Sequence, residues 1–171
     1  MRIIEDILVP IIMAMFFIAL MIIVFLYKDF LVYNKLNTVV YNFEQEVEVT
    51  GYLTDEIYDD FLRKLTHCGG LFEVSLNHKK PLEYPLDEPD EDGNTSETLY
   101  LETGTDYILD TIYDRDKTES IYRMDSGDYI QVLVQQVDKT GMDLARSFLN
   151  IPSKGGRLFC TYGGMIKNGV K

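Results

Sequence analysis

The chain has 171 residues, with 28 Asp and Glu against 16 Lys and Arg, a formal charge of −12 and no tryptophan. So acidic a body lacks the basic footprint that nucleic-acid binding requires, and beyond its apolar start the length allows one modest domain, not two. The charge is uneven: fifteen acids fall between Leu82 and Asp128 against Arg115, Lys117 and Arg123, whereas from Lys139 onward six basic residues face the single acid Asp143.

After a short flank, residues 1–6, the 21 residues from 7 to 27 carry no charge. As a helix they reach roughly 31 Å at about 1.5 Å per residue, the thickness of a bilayer's hydrocarbon core. A cleavable signal has a shorter apolar region and ends at small residues, but this run ends in Tyr27, Lys28, Asp29 and Phe30. A buried core helix would carry polar positions on one face, and none occur. The stretch reads as a retained transmembrane helix, with Tyr27, Phe30 and Tyr33 as an aromatic belt at its exit. Arg2 on one side and Lys28 and Lys35 on the other leave its orientation open. From 28 to 50, Leu36, Val40, Phe43 and Val47 recur at spacings of four, three and four, the stripe of an amphipathic stalk helix that Gly51 would stop. One helix is expected from about Ile7 to Thr50, half in lipid and half against a globular head. Pro10 would then sit in its first turn, where the missing N–H costs little.

Residues 51–171 read as that head. Thr54 is a good N-cap before Asp55 and Glu56, and Ile57, Phe61, Leu62 and Leu65 form an apolar stripe ended by Cys68-Gly69-Gly70. "LFEVSLN" alternates as a strand. Segment 82–98 reads as an acidic loop with Pro and Gly and little to bury. "TDYILDTIYD" fits a helix or a strand. "SIYRM" and "DYIQVLVQQV" read as strands joined by the turn "DSGD", and "MDLARSFLN" as a helix stopped before Pro152. "GRLFCTYGGMI" reads as a final strand with an irregularity at Gly163-Gly164. The expected class is α+β: a long N-terminal helix, then a small antiparallel sheet with one or two packed helices.

Chemistry is sparse. The two histidines, His67 and His78, do not stand in zinc-ligand spacing with each other or with the cysteines. No G-x-S-x-G elbow and no phosphate-cradling G-x-x-x-x-G-K-[ST] loop occurs, so nothing demands an enzyme. Glu88, Asp90 and Asp92, followed by Gly93, partly fit a calcium loop, although its first and twelfth places hold Glu88 and Leu99 rather than Asp and Glu. Calcium is therefore the one cofactor candidate. Cys68 and Cys160 would close a long disulfide loop in an oxidising compartment, and in a reducing one would be small buried hydrophobes.

With the anchor, "VEVTGYLTDEIYDDFLRKL", "GDYIQVLVQQV" and the terminal "LFCTYGGMI" resemble the TadE-like minor pilins and pseudopilins of Gram-positive bacteria. The resemblance covers most of the chain outside the acidic insertion and is one of layout, with short patches. It implies a non-enzymatic single-pass protein of the cell membrane, with its head outside, that assembles with other pilin-like subunits, copies of itself or machinery proteins. Pilins carry a glutamate at mature position five, and Glu5 stands there counted from Met1. No leader or glycine precedes Met1 and Asp6 adds a second acid, so the processing step is not carried over. Glu5, Leu36, Val40, Phe43 and Val47 are the expected assembly residues. The alternative is a membrane-anchored sensor or adaptor that binds a protein or calcium through its acidic head.

Overall fold

The computed structural model describes residues 2–85, 96–114, 120–152 and 157–169, with side chains from residue 7 onward apart from that of Glu97. Helix α1 runs unbroken over Arg2–Thr50. Its start lies upstream of the expected one, so Pro10 falls inside the helix and leaves the Asp6 carbonyl without its N–H partner. The lower half is long and apolar enough to cross a membrane, and the rest of the chain covers none of its most apolar stretch. A bilayer core accommodates about 20 helical residues, so the uncharged run 7–27 is the part that can span it. Above that run the helix enters the head: Val32, Leu36, Val40, Phe43 and Val47 are buried.

The head follows as β1 (Tyr52–Thr54), α2 (Asp55–Thr66), β2 (Phe72–Pro85), β3 (Ser96–Gly104), α3 (Thr105–Ile112), β4 (Ile121–Arg123), β5 (Tyr129–Gln136), α4 (Gly141–Phe148) and β6 (Phe159–Met165). The fold is α+β, as expected. Four strands form an antiparallel sheet in the order β3-β2-β5-β6, and β1 pairs with β4 in a separate two-stranded ribbon. The "DSGD" turn therefore carries the chain from one sheet to the other instead of closing a hairpin. Thr54 caps α2 by accepting from the Ile57 N–H, and "TDYILDTIYD" resolves as a helix with Ile108 and Ile112 inward.

Segment 82–98 is not a single acidic loop. Residues 82–85 extend β2 and residues 96–98 open β3, in register from Leu82↔Leu99 to Pro85↔Ser96, and residues 86–95 lie outside the described residues. β2 pairs with β5 only as far as Lys79. Beyond it β2 and β3 continue as a two-stranded arm, and both prolines of β2, Pro81 and Pro85, stand where the side away from β3 is an edge. The core lies between the four-stranded sheet and α1. Leu36, Val40, Phe43 and Val47 meet Phe61 and Leu65 of α2, Ile130, Val132 and Val134 of β5, and Ile166.

Candidate functional site

The helix α1 and the elements threaded along it make up the site with most consequence for function. Just past the uncharged run, the Asp29 carboxylate accepts the N–H groups of Gly141 at 2.6 Å and Met142 at 2.8 Å. These are N–H groups that the first turn of α4 leaves without intrahelical partners, and the anion also complements the helix dipole. Thr140 and Asp143 complete a reciprocal capping box. A Cβ on Gly141 would sit 2.7 Å from the Phe25 carbonyl oxygen, so α4 begins level with the last turn of the uncharged run. Further along, the Tyr162 hydroxyl donates to Asn37 at 2.8 Å, Tyr162 packs edge-on against Tyr41, and Phe43 stacks on Phe61 at 4.0 Å between ring centroids.

At the upper end stands a carboxyl pair. Glu44 and Glu48 are buried on the face of α1 that meets β6. The Gln45 amide donates to both at 3.1 Å, and Lys167 bridges Glu48 at 2.7 Å. Burial, with the hydrogen bond shared with Glu48, pushes the Glu44 carboxyl up to about 7. The Gly163-Gly164 irregularity expected in β6 does not occur: the register to β5 is continuous from Tyr129↔Met165 to Gln135↔Phe159. A Cβ on Gly164 would fall 1.3 Å from a Glu48 carboxylate oxygen, so this glycine marks a close approach, not a bulge.

The head also holds a polar triad that zinc spacing could not reveal. Buried His78 of β2 bonds the Tyr122 hydroxyl of β4 at 2.7 Å through Nδ1 and Asp128 at 2.9 Å through Nε2. Asp128 also accepts the Asp125 N–H at 2.9 Å. All three side chains are enclosed, so the triad ties the two sheets together and presents no acid–base group to solvent. Its signal in the sequence is alternation: His78 shares the inward face of β2 with Leu76, where a histidine needs a partner.

Both cysteines are free and buried, which corrects the expected disulfide. Cys68 lies by Lys35 in a groove of about 710 Å³ between α1 and α2, whereas the Cys160 thiol donates to Asn37 at 3.4 Å. Lys35 and Asn37 point to opposite flanks of α1, since two residues span more than half a helical turn. Burial pushes both thiols up, which keeps them unreactive. Of the expected assembly residues, Leu36, Val40, Phe43 and Val47 are filled by the chain's own head and offer no face to another subunit, while the Glu5 side chain lies outside the described residues. The calcium candidates Glu88, Asp90 and Asp92 lie outside them too. Among the described residues no group of three His, Cys, Asp or Glu side chains is placed to hold a metal ion.

No family model, curated protein or solved structure matches the chain.

Proposed function

We propose that the chain is a non-enzymatic, single-pass, pilin-like structural component of a pilus or secretion assembly, with its head outside the cell membrane. The observation that carries the reading is the division of α1: an uncovered apolar half continuous with a half that is the spine of a folded head. Such a helix offers its lower half to neighbouring helices in lipid, where association rests on close packing. The β2–β3 arm adds a second contact. Its inward-side row carries Leu82, Tyr84, Leu99 and Leu101, the last three exposed. Exposed apolar surface of this kind marks interaction sites.

The test uses the buried native thiols as a silent background. Ser96→Cys, exposed at the arm, should label with a membrane-impermeant maleimide in intact cells, and Val24→Cys should give a cross-linked dimer through the span. Labelling of Ser96→Cys only after the membrane is broken would overturn the external head. Absence of any span cross-link, to a copy or to another protein, would overturn assembly.

A further inference from the structure

We propose that α4 is an interfacial helix that lays the base of the head on the surface of an anionic bilayer. The inference rests on the span reading of residues 7–27. Asp29 and the Phe25 carbonyl fix the start of α4 at the end of the span. The hydrocarbon edge and the headgroup layer, together some 5–7 Å thick per side, fall at the same level. The side of α4 packed on α1 holds Gly141 and Ala145, both buried. Next to it stand Leu144 and Phe148, 41% and 64% exposed, one helical turn apart.

The end of the helix adds a third apolar group. Asn150 adopts φ 55°, its N–H bonds the Ser147 carbonyl at 3.2 Å, and the Ile151 N–H bonds that of Arg146 at 2.9 Å. This is a Schellman turn, and it leaves Ile151 49% exposed, at the rim of a cleft it lines with Asp143 and Ser147. A soluble head gains nothing from Leu144 and Phe148 held outward together, but a helix at a membrane interface buries such a face in the acyl boundary.

Charge agrees. Lys28 precedes Asp29 on α1, Arg146 lies on α4, and Lys139 and Arg157 line the cleft that Asp143 and Ser147 of α4 share. The neighbouring acids are turned to internal use: Asp29 and Asp143 cap α4, and Asp138 accepts from the Leu71 N–H and the Gln136 amide. The groups named at this end, four basic against three acidic, leave it slightly positive in an otherwise acidic protein, which suits anionic headgroups.

The chain has no tryptophan, so Phe148→Trp introduces a single reporter. The full chain would be reconstituted in phosphatidylcholine–phosphatidylglycerol vesicles, with Phe17→Trp as the span control and Tyr100→Trp as the distal one. Phe148→Trp is expected to emit at shorter wavelength than Tyr100→Trp and to lose intensity when the acyl chains are brominated, as Phe17→Trp does. Quenching of Phe17→Trp without Phe148→Trp would overturn the interfacial helix and leave the anchor standing. A short-wavelength Phe148→Trp that ignores brominated lipid would assign the face to another protein chain. If Phe17→Trp itself escapes quenching, the span reading falls and this inference with it.

Discussion

The carboxyl pair on the stalk gives single residues a measurable weight. Glu44 titrates near 7 when folded, against 4.5 for an unperturbed glutamate. A carboxyl raised by folding weakens the fold as pH climbs from about 4.5 to 7, because the unfolded chain releases its proton first. Glu44→Gln keeps hydrogen bonding and removes the titration. Thermal melts should show little change at pH 5 and a gain at pH 8 of roughly 1–2 kcal/mol. An equal shift at both values would exclude the protonation argument. Gly164 gives the matching steric test. Gly164→Ala must displace the Glu48 carboxylate from Lys167 and should cost about 1–3 kcal/mol. Gly104→Ala, whose Cβ would meet nothing within 4 Å, should stay within about 0.5 kcal/mol of the parent.

Between elements, the contact that matters most is the one the sequence hides best. Asp29 and Gly141 are 112 positions apart, and no local pattern marks an acid just past an apolar run as the cap of a distant helix. Asp29→Ala should cost roughly 1.5–3 kcal/mol and open residues 141–152 to limited proteolysis while the four-stranded sheet holds. α1, α2, β5, α4 and β6 were legible because each carries its own periodicity or cap. The arm was not: Pro85 and a high density of acids read as loop over 82–98, and only the pairing from Leu82↔Leu99 to Pro85↔Ser96 shows that the sheet edge tolerates them. The stripe Leu36-Val40-Phe43-Val47 was correctly seen as a packing face. That the head would cover this half was expected; which strands cover it, with Ile130, Val132 and Val134 of β5, no periodicity displays. His78 was visible as a residue but not as a link, since its partners lie 44 and 50 positions away.

For the whole molecule, the upper half of α1 is core and the uncharged half is not, so the point of truncation decides folding. A chain starting at Lys28 keeps Asp29 and every buried residue of α1, and should be soluble with a cooperative melt. A chain starting at Gly51 loses Leu36, Val40, Phe43 and Val47 together, each large-to-nothing deletion costing several kcal/mol, and should not fold. Far-ultraviolet circular dichroism with a thermal scan separates the two outcomes. The top of the helix is held as firmly as its base. Gly51 turns the chain at φ 73°, and a Cβ there would lie 1.9 Å from the Asn168 carbonyl oxygen. Between Asp29 and Gly51 the helix is unbroken and head elements pack along one side of it from Val32 to Glu48, which leaves no hinge. Helix α1, with 49 residues, is a strut of roughly 74 Å at about 1.5 Å per residue. A pull along the foot of α1 must therefore lift the head as one piece, with the load passing as shear along the α1–β6 seam.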